Sequence, residues 1–279
     1  MTAVTSSRVV PADVSDMSSC ARIALFAATV WEVSAVRAAL PDAATRTVGG
    51  RRVVVGSAGE REYWLVRTGV GHEQAAQASG WLFHQQRFHL AVSTGFACAL
   101  VPAEIGGLLV GHEVLSMPAN GDAGPEPLGV PGPERDSFLA FACGRIAGAR
   151  IGPFLSVDRI VGRAADKREY ARVTGAMGLD MESAALARES QRAQVPFVIA
   201  RTVSDLLDED LPLDFNLFLT AAGWLAGAGT VLAAPWRLRG LGRLRRQSRL
   251  AADRLTEFFR GYMTAMAVHH RPHRTTELA

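Results

Sequence analysis

Short apolar runs alternate along the chain with longer segments of helical periodicity. The apolar runs are almost uninterrupted, which is typical of strands covered on both faces; they span residues 22–29, 62–70, 89–97, 106–115 and 196–205. Helical patterns span residues 30–40, 72–87, 136–147 and 181–193. This order predicts an α/β fold, a three-layer αβα sandwich around a mixed, mainly parallel central sheet. Residues 119–136, rich in Gly and Pro, are predicted to form a surface loop.

Length and composition favour one main domain. A chain of 279 residues, 48% of them hydrophobic, is long enough to bury a complete core. We assign this domain to residues 21–236, after a flexible N-terminal extension at 1–20 and before a basic helix at 237–265 and a flexible tail at 266–279. The extension has no apolar h-region, so it does not resemble a secretory signal, and we expect a cytoplasmic protein.

Several chemistries are not indicated by the sequence. The three cysteines are scattered without a CxxC pair, which argues against a disulfide framework or a zinc knuckle. No HExxH, Walker A or GxSxG motif occurs. His269, His270 and His273 lie in the predicted flexible tail. We therefore predict no metal site.

The C-terminal third combines an uncharged segment with a basic one. Residues 215–236 carry no charge and approach the length of a bilayer span, but they are rich in Ala and Gly, which favours a buried helix. Residues 237–260 hold eight arginines against two carboxylates, although the net charge of the whole chain is only +3. Such a helix is either a solvated surface helix or a binding element for an anionic surface. No aromatic stacking platform is interleaved with the arginines, so we expect phospholipid rather than nucleic acid.

Carboxylates stand where the predicted strands end, which is where ligands collect in such sheets. Asp180 and Glu182 precede the alanine-rich helix, Asp205 ends the last apolar run, and Glu32 follows the first. A helix cap accounts for Asp180, but not for Glu182 or Asp205. The glycines of "TGVGHEQ", residues 68–74, fit either an anion held by backbone N–H groups or a tight turn.

Two of these segments resemble motifs of a known superfamily. "DMESAALA" and "PFVIARTVSD" are similar to the MExxA and RxxSD segments of the purine nucleoside phosphorylases and the methylthioadenosine/S-adenosylhomocysteine nucleosidases. "IALFAATVWEVSAV", "VRTGVGHEQAA" and "STGFACAL" follow in the family's order, so the resemblance covers about residues 22–222. It implies a nucleoside phosphorylase-like fold, an enzyme that cleaves N-glycosidic bonds, and a homo-oligomer.

The resemblance also implies roles for single residues. Asp205 would protonate N7 of a departing purine, with Ser204 orienting its carboxyl group, and burial would have to raise the pKa of Asp205 for this role. Glu182 would hold the ribose hydroxyls, with Met181 packed on the sugar. The remaining substrate-binding positions are Gly95, Phe96, Ile160 and Arg201. Phe96 and Ile160 depart from the family, which often has Ser at the first position and an aromatic residue at the second.

Glu32 bears on the choice between water and phosphate as the nucleophile. It stands where hydrolytic relatives have a water-activating Glu, whereas phosphorylases have a Gly-Asp-Pro segment with a phosphate-binding Arg. Ser93 stands where phosphorylases commonly have a second phosphate-binding Arg. We therefore predict hydrolysis without a cofactor, with phosphate as the alternative co-substrate. The competing interpretation of Glu32 is an exposed carboxylate at a helix start.

A narrower resemblance concerns the substrate. "SVDRIVGRAADKREYARVTGAMGLDMES", the "LP" at 211–212 and the arginine-rich C-terminal segment are similar to the hopanoid-associated phosphorylases. This implies release of adenine from adenosylhopane during hopanoid biosynthesis, by a peripheral protein that meets the inner membrane face through residues 215–260. The alternatives are a phosphate-dependent purine nucleoside phosphorylase, a methylthioadenosine/S-adenosylhomocysteine-type nucleosidase and a non-catalytic, membrane-docked nucleoside-binding protein.

Overall fold

The computed structural model describes residues 20–116, 126–145, 148–212 and 237–268. The predicted N-terminal extension up to residue 19, residues 119–125 of the predicted loop 119–136, the uncharged segment 215–236 and the tail from residue 269 lie outside these ranges. Within them, no helix has both the length and the apolar character that crossing a membrane requires.

Ten strands are present in the described residues. The five predicted runs correspond to β1, β4, β5, β6 and β10, with ends that differ by only a few residues. The strands are β1 Ala21–Ala27, β2 Ala44–Val48, β3 Arg51–Ala58, β4 Arg61–Arg67, β5 Leu90–Ala99, β6 Leu108–Ser116, β7 Glu126–Leu128, β8 Arg150–Ser156, β9 Gly178–Asp180 and β10 Phe197–Asp205.

In the described part of the chain, six helices connect the strands or follow them. They are α1 Val30–Arg37, α2 His72–Gln85, α3 Pro133–Arg145, α4 Ala164–Thr174, α5 Ser183–Arg192 and α6 Arg237–Val268. Helix α3 begins at Pro133, so the last residues of the predicted loop are helical instead. Proline suits the first turn of a helix because the N–H that it lacks would have no partner there. Helix α4 does not correspond to any predicted helix.

The sheet is mixed, as predicted. Parallel pairs join β4 to β1, β1 to β5 and β5 to β10, and also β6 to β8 and β8 to β9. Antiparallel pairs link β2, β3 and β4 at one edge, and β5 with β9, β6 with β10 and β6 with β7. Because β10 pairs with both β5 and β6, the strands β5, β9, β8, β6 and β10 form a closed ring of pairings.

Helices cover both faces of the sheet, which confirms the three-layer sandwich. Successive side chains of β1 point to opposite faces, as in any strand: Ile23 and Leu25 pack with one layer, Ala24 and Phe26 with the other. Buried residues of α2 and α5 belong to one layer, and those of α1, α3 and α6 to the other. The C-terminal helix α6 is therefore part of the core packing.

Chain direction brings the carboxyl ends of several strands together. β1, β5 and β10 run parallel, and in the β5–β10 pair Arg201 lies beside Gly95 and Asp205 beside Cys98. β9 ends at Asp180 next to the carboxyl end of β8. The residues that follow these strands consequently meet at one edge of the sheet, where ligands bind in open α/β folds.

Candidate active site

A cavity of about 300 Å³ lies at this edge. Its lining includes eight of the nine predicted site residues: Glu32, Phe96, Ile160, Met181, Glu182, Arg201, Ser204 and Asp205. A larger cavity of about 840 Å³, between residues 102–109 and α6, contains none of them. The smaller cavity is therefore the candidate active site.

Glu32 is held rigidly at one end of the cavity. Its Oε2 accepts hydrogen bonds from the backbone N of Thr29 at 2.7 Å and from the Thr29 hydroxyl at 2.9 Å, and its Oε1 accepts one from the Phe96 N–H at 2.8 Å. The contacts with Thr29 form a capping box at the start of α1, which explains why the local sequence builds this geometry. Glu32 is only 4% exposed, so it is not the exposed helix-start carboxylate of the competing interpretation.

Gly95, the ninth predicted residue, lies directly behind Glu32. Its φ of +138° is a conformation that glycine adopts most readily, and a β-carbon there would overlap Oε1 of Glu32. The absence of a side chain at position 95 therefore lets the Glu32 carboxylate rest against β5.

Arg201 is the cation at the centre of this end of the cavity. Its Nε lies 2.9 Å from Asp180 Oδ2, its Nη2 lies 3.4 Å from Glu182 Oε2, and its Nη1 lies 3.9 Å from Glu32 Oε1. Nη1 and Nη2 also donate hydrogen bonds to the Phe96 carbonyl and the Ser93 hydroxyl, each at 2.9 Å. The guanidinium, 2% exposed, thus has a protein partner for each of its three nitrogens.

Asp180 and Glu182 have different surroundings although they are two residues apart. Asp180 Oδ1 accepts hydrogen bonds from the N–H groups of Glu182 and Ser183 at the start of α5. The N-cap residue of α5 is nevertheless Glu182, so the prediction of Asp180 as the N-cap is wrong by two residues. Glu182 Oε1 accepts a hydrogen bond from the Gly71 N–H at 2.9 Å. Of the two interpretations of residues 68–74, an anion site finds no support at the Gly71 N–H, because a carboxylate of the protein itself occupies it.

The end of the cavity at Glu32 and Glu182 contains more carboxylates than cations. Three carboxylates surround the single Arg201 guanidinium there. Burial raises the pKa of Glu182 to about 7; Asp180 and Glu32 act in the same direction, whereas Arg201 and the Gly71 N–H oppose it. The charge of Glu182 is thus sensitive to pH near neutrality.

Asp205 stands at the other end of the cavity, next to a buried lysine. The Lys167 Nζ of α4 lies 3.0 Å from Asp205 Oδ1 and 2.9 Å from Oδ2. Burial raises the pKa of Asp205, in the expected direction, whereas the Lys167 ammonium opposes this rise. Ser204 lines the cavity but makes no hydrogen bond to Asp205 in the described part of the chain, so Lys167 provides the orienting contact predicted for Ser204.

The two ends of the cavity differ in their apolar borders. Leu211 and Leu244, the latter from α6, are part of the lining, and the N–H of Leu211 is bonded to the carbonyl of Gly162 beside α4. At the Glu32 end, Val70 is 37% exposed, and Val30 and Trp31 next to Glu32 are 54% and 59% exposed. Exposed apolar side chains thus lie beside the Glu32 end of the cavity. Among the described residues, no cluster of His, Cys, Asp and Glu is arranged to hold a metal ion.

A cavity lined by carboxylates at the strand ends of an α/β sheet is typical of a ligand-binding or catalytic site. The chain belongs to the Phosphorylase superfamily, whose family model matches residues 22–228. This confirms the resemblance at the level of the superfamily.

Solved structures share the fold at low sequence identity. The S-adenosylhomocysteine nucleosidase of Streptococcus pyogenes, in complex with 5-methylthiotubericidin, has a TM-score of 0.68 at 18% identity over 90% of this chain and 99% of its own. The 5′-methylthioadenosine/S-adenosylhomocysteine nucleosidase of Neisseria meningitidis has a TM-score of 0.63 at 19% identity, with 86% and 98% covered. The futalosine hydrolase of Helicobacter pylori has a TM-score of 0.67 at 16% identity, with 88% and 98% covered.

Proposed function

We propose that the protein hydrolyses the N-glycosidic bond of a 5′-modified adenosine and releases adenine. The observation that carries this proposal is the placement of Glu32, Glu182 and Asp205 around one cavity. Asp205 gives a proton to N7 as the C1′–N9 bond breaks, and the electron pair of that bond leaves with the base. Glu182 accepts hydrogen bonds from the ribose hydroxyls and stabilises the positive charge that develops on the sugar. Glu32 takes the proton of the water that attacks C1′.

The charge of the cavity supports water rather than phosphate as the nucleophile. Every nitrogen of the Arg201 guanidinium already has a protein partner, and three carboxylates surround it. A phosphate dianion placed beside Arg201 would face repulsion from these carboxylates. Phosphate-dependent cleavage is therefore the second candidate.

The apolar border at the Glu32 end supports an apolar 5′ substituent. Val70 precedes Gly71, whose N–H binds the proposed ribose carboxylate Glu182, so this border lies at the sugar end of the cavity. Val30, Trp31 and Val70 are exposed there and would contact a 5′ group that extends out of the cavity. This arrangement suits adenosylhopane, and methylthioadenosine is the soluble alternative.

A lipid-borne substrate requires contact with a membrane, and α6 offers a cationic surface for it. Arg243, Arg245, Arg246 and Arg249 are exposed along the first half of this helix, and Leu250 beside them is 43% exposed. Leu244 of the same stretch lines the cavity. We propose that this surface binds anionic phospholipid at the inner membrane face, so that the cavity lies near its substrate.

The test is release of free adenine from adenosylhopane in vesicles and from soluble methylthioadenosine, with and without phosphate. Wild type should release adenine without phosphate and prefer the hopanoid. Asp205→Asn should lose about 100- to 10,000-fold in kcat, the usual contribution of a general acid. Asp208→Asn is the matched control, because Asp208 lies on the same turn but its side chain is 75% exposed and paired with Arg168.

Each other outcome selects a different function. Release that occurs only with phosphate would make the protein a phosphorylase and remove the role given to Glu32. Binding of either substrate without turnover in any form would indicate a nucleoside-binding protein. Equal activity of Asp205→Asn and wild type would exclude Asp205 as the acid.

A further inference from the structure

Lys167 is an unusual residue in this chain. It is the only lysine among 279 residues, whereas the other 29 basic residues are all arginines. Its side chain is 0% exposed. Besides both carboxylate oxygens of Asp205, its Nζ contacts the carbonyl of Leu206 at 3.0 Å and that of Glu209 at 2.6 Å. The three donors of the ammonium therefore all have acceptors within the turn that contains Asp205.

The geometry explains why this position has lysine. An ammonium group is compact and directs three donors tetrahedrally, whereas a guanidinium is a planar fork that suits flat, bidentate partners. The acceptors here come from a carboxylate and two carbonyls on one curved turn. A buried cation is costly unless it is paired and hydrogen-bonded, and Lys167 meets both conditions through residues 205–209.

We propose that Lys167 is a positioning residue for the acid of the reaction: it fixes the Asp205 carboxyl group against the base and makes it a stronger proton donor. This inference rests on the proposed function. In the proton transfer, the O–H bond of Asp205 breaks and an N7–H bond forms on the departing base. Asp205 is left as a carboxylate beside the Lys167 ammonium, which stabilises that charge. Without the ammonium, the same transfer would create an unpaired buried carboxylate.

Other groups near Asp205 supply no balancing positive charge. The Cys98 thiol of β5 hydrogen-bonds to Asp205 and lowers the pKa of that carboxyl group, but burial raises the pKa of the thiol, so it is neutral. Glu209 follows on the same turn, and its carboxylate is held by Arg243 at 2.8 Å and by Gln247 at 2.9 Å, both from α6. Among the described residues in contact with Asp205, the charge that balances a carboxylate therefore comes from Lys167.

A comparison of two leaving groups separates this role from a purely structural one. Adenine needs a proton to depart, whereas p-nitrophenol departs as a stable phenolate and needs none. We would measure kcat and KM for methylthioadenosine and for p-nitrophenyl 5-methylthio-β-D-riboside. The variants are Lys167→Met, Asp205→Asn and the control Arg168→Met. Arg168 is the next cation on α4 and contacts the same turn through Asp208, but it is 55% exposed.

Lys167→Met should lower kcat for adenine release about 10- to 100-fold, a fraction of the contribution of a general acid. KM should change by less than about threefold, and release of nitrophenolate should stay within about threefold of wild type, because that step uses no proton. Asp205→Asn should show the same selectivity with a larger loss. Arg168→Met should resemble wild type with both substrates.

Equal losses with the two substrates in Lys167→Met would overturn the proposal and leave Lys167 a structural residue. If Asp205→Asn loses adenine release selectively while Lys167→Met behaves as wild type, the inference about Lys167 fails and the proposed acid stands. If Asp205→Asn retains adenine release, the proposed acid itself fails.

Should Lys167→Met not fold, the double variant Lys167→Met/Asp205→Asn, in which both partners are neutral, replaces it. That double variant should release adenine no more slowly than Asp205→Asn alone, and an additional loss would contradict the inference.

Discussion

The Glu32 end of the cavity shows how one buried arginine organises three carboxylates. Arg201 contacts Asp180, Glu182 and Glu32 from β10, while the backbone N–H groups of Gly71 and Thr29 hold the far oxygens of Glu182 and Glu32. These contacts thus hold and orient each carboxylate before substrate enters. Such preorganisation spares the reaction the cost of reorienting dipoles as charge develops on the sugar.

The raised pKa of Glu182 predicts a pH-dependent stability. Its value of about 7 in the folded protein exceeds the ordinary 4.5, so the folded state keeps a proton that the unfolded chain has lost. Stability should therefore fall as pH rises from about 4.5 to about 7, by up to about 3 kcal/mol. Glu182→Gln should remove this fall, as measured by urea unfolding at pH 5, 6, 7 and 8.

The exposed carboxyl of Glu169 on α4 provides the control for this experiment, because its side chain is 60% exposed. Glu169→Gln should follow the wild-type dependence between pH 5 and pH 8. Parallel curves for wild type and Glu182→Gln would mean that Glu182 titrates in its ordinary range.

Among the elements, length and continuous burial favour prediction of a strand, although β3, with a buried stretch like that of β4, was not predicted. β1, β5 and β10 are buried along nearly their whole length, so their sequences are plain apolar runs. β2 is exposed at most positions, β9 has three residues, and β8 contains Pro153. Pro153 pairs next to the register shift after Gly111, where the sheet tolerates a residue without an N–H. Pairing with distant strands forms these elements, and local periodicity does not reveal it.

The same limit applies to the candidate site. Glu32, Glu182 and Asp205 could be predicted because carboxylates next to apolar runs are conspicuous, and because their motifs resemble a family. Lys167 lies in α4 between polar neighbours, and its contact with Asp205 spans 38 residues of sequence. The signal in the sequence that could have drawn attention to Lys167 was composition: a single lysine beside 29 arginines indicates a position where arginine does not serve.

Helix α6 is predicted to unfold together with the sheet. Phe259 is 0% exposed and packs among Leu255, Phe258 and Tyr262 of the same helix and the adjacent core. Phe259→Ala should lower the free energy of unfolding by about 3–5 kcal/mol while leaving one cooperative transition. Thermal or urea unfolding followed by circular dichroism measures both quantities. Arg260→Ala, an exposed neighbour, is the control, and a separate early transition for α6 would contradict the prediction.

At the scale of the whole molecule, a cationic surface and an apolar one adjoin the same cavity. The arginines of α6 flank Leu244, and the exposed apolar residues Val30, Trp31 and Val70 border the Glu32 end. The arginines suit anionic headgroups and the apolar residues suit acyl chains, although the two surfaces border different ends of the cavity. The exposed apolar residues would also suit a contact between copies, and the homo-oligomer stays a prediction.

The proposed binding of α6 to anionic phospholipid predicts how much the loss of its arginines weakens binding to vesicles. Replacement of Arg245, Arg246 and Arg249 by Glu should weaken binding to vesicles containing phosphatidylglycerol about 100-fold or more, since each surface arginine contributes about 1 kcal/mol. Turnover of soluble methylthioadenosine should not change. Co-sedimentation measures binding, and a spectrophotometric adenine assay measures turnover.

The matched control changes the same amount of charge elsewhere. Arg46, Arg51 and Arg52 are exposed on the β2–β3 hairpin, away from the cavity lining. Their replacement by Glu should leave vesicle binding much stronger than in the α6 variant. Equal weakening in both variants would indicate a response to net charge rather than a binding surface on α6.

The enclosure of Lys167 also determines how the folded protein meets acylating reagents. Because the chain has no other lysine, its surface offers guanidinium groups but no lysine amine. Acylation of a lysine then requires the turn at residues 205–209 to open, since that turn supplies the carbonyls and the carboxylate around Nζ. The rate at which a single lysine adduct accumulates, followed by mass spectrometry, therefore reports how often the Asp205 end of the cavity opens.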